Sequence, residues 1–192
     1  MPPKVKVTKE EIVKTALALV REQGAEALNA RAIAAALNCS TQPVFSNFAS
    51  MEELRSATVN AAYELYLEFL RRETERGKYP PYKAFGMAYV CFADEEKKLF
   101  QLLFMRDRRG EAPAPSPDFE ASVALISAAN GISREKAELL HLEMWTCVHG
   151  IGTMLATSFL ELDRELISGI LSDVYQGLRS RLGSEVAADA SN

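Results

Sequence analysis

The chain has 192 residues, 48% of them hydrophobic, with 22 Lys and Arg against 26 Asp and Glu for a formal net charge of −4. That is enough apolar material for one good core or two small ones without staples, and three scattered cysteines (Cys39, Cys91, Cys147) exclude a disulfide framework. Lys4, Lys6, Lys9, Glu10 and Glu11 break up any leader-like start, and no apolar run reaches the length of a spanning helix, so a cytoplasmic protein with no membrane partner is expected.

The acidic balance is uneven. Residues 1–50 carry six Lys or Arg (Lys4, Lys6, Lys9, Lys14, Arg21, Arg31) against four acids, whereas the rest carries 16 against 22. A basic start on an acidic body suits a protein that offers one end to nucleic-acid phosphates.

In chain order, apolar Ile12, Ala16, Leu19 and Val20 follow Thr8, which stands where a cap belongs, and predict a helix over 9–23 closed by Gly24. Asn29 then offers a cap to a short helix over 30–37. Asn38, Cys39 and Ser40 interrupt it, and 41–48 forms a third short helix with Ser40 able to cap it and Pro43 in its first turn. Leu54, Ala57, Thr58, Ala61, Leu65, Leu67 and Leu70 predict one long helix from Met51 to about 76, ended by Gly77 and Pro80-Pro81. Further helices are expected over 82–92, 94–106, 117–130, 134–158 and 162–182, with a break over 108–117. Strand alternation is absent, so the chain reads as all-α: a three-helix head over 1–50, a helical body over 51–183, and an unstructured tail over 184–192.

Two short helices joined by a tight turn form a helix-turn-helix when their facing sides are apolar and close. Ile33, Ala34, Leu37, Val44, Phe45 and Phe48 can supply that face. Thr41, Gln42, Ser46 and Asn47 remain for an outer face narrow enough to enter a major groove, and the Gln42 amide can pair bidentately with adenine. The same residues on a merely solvated helix would look no different.

Residues 8–54 resemble the tetracycline-repressor (TetR) family of regulators. The likeness lies in the capped first helix, Gly24, the Asn29-Ala30-Arg31-Ala32-Ile33-Ala34 stretch, and Cys39-Ser40-Thr41 followed by Val44-Phe45-Ser46-Asn47-Phe48. It implies an operator-binding regulator, with Thr8, Asn29, Arg31, Phe45 and Asn47 at phosphates and Thr41, Gln42 and Pro43 facing base edges. Many members carry Tyr where this chain has Phe45 and Lys where it has Met51. Without that hydroxyl and that charge, affinity would lean on Lys4, Lys6 and Lys9, on an arm able to follow the backbone or enter a minor groove.

The resemblance also implies a homodimer on a palindromic double-stranded DNA operator, joined through the last two helices, where Gly150, Gly152, Ala156, Gly169 and Gly177 permit close approach; packing inside one subunit is the other use for such residues. Trp145 through Gly150 resembles a Trp-x-x-x-His-Gly pattern of one subgroup of sensor domains, and Lys98 to Met105 fits the same subgroup. An apolar interior of Phe85, Tyr89, Phe92, Phe100, Phe104, Met105, Met144 and Met154 can serve as core or line a pocket. Trp145 and His149, four apart on one helix face, can join that lining for an unidentified small-molecule effector or serve only as a core tryptophan and a satisfied core histidine. The family likeness implies that effector binding shifts the long helix after the head and releases DNA.

No cofactor, catalytic residue or metal ligand is expected. His141 and His149 are eight apart rather than the four of a helical zinc pair, and no phosphate loop or nucleophile elbow occurs. The competing reading is an all-α adaptor or small-molecule binding protein whose head meets protein instead of DNA.

Overall fold

A computed structural model describes residues 7–107 and 117–189, with side chains over 7–107 and 119–182. It is helical throughout, with no strand among the described residues. The chain divides into two compact units, Met1–Glu68 with Glu95–Arg106, and Phe69–Asp94 with Asp107–Asn192. The first unit thus runs beyond residue 50.

The first unit is built on α1 (Lys9–Gln23), a 3-10 turn (Ala25–Ala27), α2 (Ala30–Ala36), α3 (Gln42–Asn47), the start of α4 (Met51–Glu75) and α6 (Lys97–Phe104). Thr8 caps α1 reciprocally with Glu11: its hydroxyl accepts from the Glu11 N–H, and the Glu11 carboxylate accepts from the Thr8 N–H. Gly24 ends α1 at φ 92°, where a side chain would be strained. Asn29 caps α2 by accepting from the Ala32 N–H. The turn between α2 and α3 passes through Asn38 at φ 50°, a left-handed position that asparagine tolerates. The cap of α3 is Thr41, not Ser40. It makes no side-chain cap bond, and Pro43 in the first turn has no N–H to satisfy.

Ile12, Ala16 and Val20 of α1, Ile33 of α2, Val44 of α3, Phe48 and Leu54 form the buried centre of this unit. Val44 and Phe48 are four apart and share one face, which turns Phe45 outward at 54% exposure; Leu37 is only half-buried. Phe45 is therefore no part of the inner face proposed for it. Helix α6 packs on α1, with Leu99 and Phe100 fully buried, and Arg21 grips Glu96 through two hydrogen bonds of 2.7 and 2.8 Å.

The buried face of α4 is Leu54, Thr58, Ala62, Tyr66, Phe69, Leu70 and Glu73. The predicted stripe chose Ala57, Ala61, Leu65 and Leu67, which are half-buried. Steps of three and four from Leu54 reach 58, 62, 66, 69 and 73, so the helix period selects Ala62, Tyr66, Phe69 and Glu73, four buried positions that the predicted stripe left out. Thr58 donates its hydroxyl to the Leu54 carbonyl, and the Glu73 carboxylate accepts from Arg76.

The second unit holds the end of α4 with α5 (Pro81–Glu95), α7 (Pro117–Asn130), α8 (Arg134–Ala156) and α9 (Arg164–Asp189). Ala84 and every residue from Met87 to Ala93 are buried, the all-round apolar pattern of an interior helix. Helix α8 packs against α7 and α9, burying Leu140, Met144, Val148, Ile151 and Leu155 at three- and four-residue steps. The backbone of α9 stays helical to Asp189, seven residues past the predicted end, because Glu185, Ala187 and Ala188 favour a helix enough to carry it through Gly183. Of the predicted break, 108–116 lies outside the described residues, and Pro117 is the first residue of α7.

Candidate nucleic-acid interface

The outer side of the α2–α3 pair carries Arg31, Gln42, Phe45 and Ser46 exposed, with Thr41, Pro43 and Asn47 half-buried beside them. Gln42 is the first residue of α3 and has its amide in solvent. Arg31 is exposed and makes no hydrogen bond or ion pair among the described residues, so its guanidinium is available to a phosphate.

Four other residues expected at DNA already use their polar groups. The Thr8 hydroxyl donates to the Glu11 carboxylate at 3.1 Å, and the Ser46 hydroxyl donates to the Gln42 carbonyl at 2.9 Å. Asn29 accepts from Ala32 and donates to the Ala27 carbonyl at 3.2 Å, which leaves one amide hydrogen. Asn47 donates to the Pro43 carbonyl at 2.8 Å and to the Val7 carbonyl at 3.3 Å. Both of its amide hydrogens are taken.

The basic residues of this unit sort the same way. Arg21 is held by Glu96. Lys9 pairs with Glu53 at 2.8 Å and lies over the Phe48 ring, and its hydrogen bond, followed by the Ala49 N–H, holds the Glu53 carboxyl below the ordinary range. Lys14, Arg31 and Arg55 are exposed without such partners among the described residues. Lys4 and Lys6 lie outside the described residues.

The expected effector lining is not assembled by either unit alone. Phe100, Phe104 and Met105 belong to the first unit: Phe100 is buried, Phe104 packs edge-on to Tyr66, and Met105 is exposed. Phe85, Tyr89, Met144, Trp145 and His149 belong to the second. There Tyr89 and His149 are bridged at 2.8 Å between the phenol oxygen and Nδ1, and Trp145 stacks on His149. Burial raises the Tyr89 hydroxyl well above its ordinary value and lowers His149, so a neutral phenol faces a neutral imidazole. Tyr82 and His141 repeat that bridge at 3.0 Å, a second rung between α5 and α8 that no sequence spacing announced. Among the described residues no group of three or more His, Cys, Asp and Glu could hold a metal ion. No helix of the described residues is long and apolar enough to cross a membrane.

A two-helix turn with its inner face buried and a polar, amide-bearing outer face defines a helix-turn-helix DNA-binding domain. Residues 12–58 match the family model described as bacterial regulatory proteins, tetR family. A solved structure of a protein of unknown function from Rhodococcus sp. RHA1 is similar with a TM-score of 0.70 over 95% of this chain and 99% of that one, at 18% identity, a likeness of fold alone. No curated protein matches the chain. Residues 12–58 are thus a DNA-binding domain of the tetR type, and the chain that carries it is a DNA-binding transcriptional regulator.

Proposed function

We propose that this regulator acts as a homodimer on a palindromic operator, reads it with Gln42 flanked by Thr41 and Pro43, and leaves it when a small molecule binds the second unit. The observation that carries the reading is the presentation of α3: Val44 and Phe48 anchor it while the Gln42 amide stays in solvent. Arg31 and the remaining Asn29 hydrogen supply phosphate contacts that fix register.

The dimer rests on α8 and α9. Leu139 and Leu142 are exposed on one side of α8, and Leu166 is exposed on α9, at 42 to 56%. A Cβ added at Gly150, Gly169 or Gly177 would meet nothing within 4 Å, so these glycines are not needed for packing inside the subunit and leave room for a second backbone. Gly152, in contrast, is buried. A two-fold pair would set the recognition helices roughly 34–36 Å apart, about one turn of DNA.

Repression relieved by an effector requires a ligand that favours the state with low DNA affinity, since equal affinity for both states shifts nothing. Tyr89, Trp145 and His149 offer such a ligand aromatic surface and neutral hydrogen-bonding groups. Selection of bound sequences from a random DNA pool with the purified chain tests the core of the proposal. A two-fold symmetric motif with salt-dependent affinity is expected, and binding without sequence preference would overturn it.

A further inference from the structure

Among the described residues of the first unit, Phe45 is the most exposed large apolar side chain, at 54%. It stands on α3 directly after the buried Val44, so the turn of the helix that hides Val44 puts the Phe45 ring into solvent. More than half of the ring is apolar surface that a partner can cover.

The family resemblance sets this position against phosphate. A phosphate oxygen only accepts, so a contact there needs a donor. Phe45 has none to give: its ring is all carbon, and its backbone N–H is spent on the Thr41 carbonyl at 3.3 Å. What it can offer DNA is an apolar face.

Gln42 and Phe45 are three apart and share one side of α3. Three residues of helix advance about 4.5 Å, against about 3.4 Å between successive base pairs, so the ring falls about one base step from the pair that the Gln42 amide meets. Ser46, the other neighbour of Gln42 on this side, turns its hydroxyl back onto the Gln42 carbonyl at 2.9 Å. The surface beside the amide is therefore the ring. On the major-groove edges of the four bases, the one methyl group is that of thymine, and an apolar side chain such as phenylalanine recognises it by contact.

We propose that Phe45 reads a base and does not touch phosphate: its ring covers the C5 methyl of a thymine within about one base step of the adenine read by Gln42. This rests on the placement of α3 in the major groove, and it adds to Gln42 a second specificity-determining residue whose preference is for thymine.

The test uses the full chain and the tightest-binding duplex selected from a random pool. Each thymine is replaced in turn, in both half-sites, by deoxyuridine, which keeps the pairing and the O4 acceptor and lacks only the methyl. Gln42→Ala marks the adenine by the base pair whose preference it relaxes. In the native chain a thymine within one step of that pair should lose about fourfold in affinity per half-site, the worth of one buried methyl. In Phe45→Ala, whose side chain ends at the first carbon, thymine and deoxyuridine should bind alike at that position, with the melting temperature little moved because the ring is on the surface. Phe45→Tyr supplies a donor and should gain nothing on a duplex of random sequence. No loss with deoxyuridine in the native chain, a loss that persists in Phe45→Ala, or a gain on random duplex in Phe45→Tyr would overturn the proposal while leaving the reading by Gln42 intact. A pool that yields no preferred sequence removes both.

Discussion

The Trp145 indole lies over the His149 imidazole with ring centroids 4.9 Å apart and planes 13° from parallel. It is the chain's single tryptophan, 44% exposed, and neither a core residue nor a free one. The Tyr89 hydroxyl meets the far side of this pair at His149 Nδ1. Two rings and a phenol thus form a continuous contact from solvent to the buried face of α5.

That arrangement gives an optical pH probe. Burial lowers both His149 and His141 below 6.5. The unfolded chain therefore takes up protons first as pH falls, and the stability tied to neutral histidine is full above about 6.5 and declines below it. Trp145 emission should titrate with a midpoint under 6.5, and the melting temperature should fall from pH 7 to 5, less steeply in His141→Gln. An emission midpoint at or above 6.5 contradicts the burial argument.

Gln42 and Arg31 should separate by sequence dependence. Gln42→Ala is expected to weaken binding to the selected operator by roughly 1–3 kcal/mol and to relax the preference at one base pair, while Arg31→Ala weakens operator and random DNA alike. Anisotropy titrations on both duplexes distinguish them; equal losses for Gln42→Ala remove its role as a reader.

Asn29 combines a cap with one spare hydrogen. Asn29→Ala should cost about 1 kcal/mol of stability, near 2–4 °C in melting temperature, through loss of the Ala32 bond. Asn29→Asp keeps the acceptor for Ala32 but gives up the bond to the Ala27 carbonyl and places a carboxylate where a phosphate is expected, so DNA affinity should drop further than in Asn29→Ala while the melt falls no more. Calorimetry beside binding reads the two roles apart.

Phe100 is wholly buried in the unit that contains the DNA-binding helices. Phe100→Ala should destabilise by about 3–5 kcal/mol and lower DNA affinity with it, whereas Phe100→Leu should largely preserve both. Denaturant midpoints and the random duplex measure this. Unaltered stability with altered effector response would return Phe100 to a pocket lining.

Leu142, exposed on α8, is the sharpest test of the dimer. Leu142 is more than half exposed, so Leu142→Glu should retain helix content while light scattering shows a monomer and operator affinity falls. A variant that stays dimeric places the interface elsewhere.

The helices were legible because their signals are local. Thr8, Gly24 and Asn29 cap or end helices by bonds within three or four residues, and the resemblance over 8–54 covers nearly all of the matched stretch 12–58. The outward turn of Phe45 and the burial of Tyr66 and Glu73 follow from helix period once one anchor, Val44 or Leu54, is known to be inside. Sequence named both among the apolar positions but could not rank them above neighbours such as Phe45 and Ala57.

What the sequence determined alone is the all-α class and the short capped helices of the head, since caps, period and turn chemistry act between near neighbours, while the helix-turn-helix was legible through the family resemblance over 8–54. Only the tertiary structure decided that α6 belongs with the DNA-binding helices, that Asn47 holds Val7, and that Tyr82 and Tyr89 form rungs to His141 and His149. Those pairings join residues 40 to 60 apart. An apolar face or an amide states that it needs a partner, and packing alone selects which one.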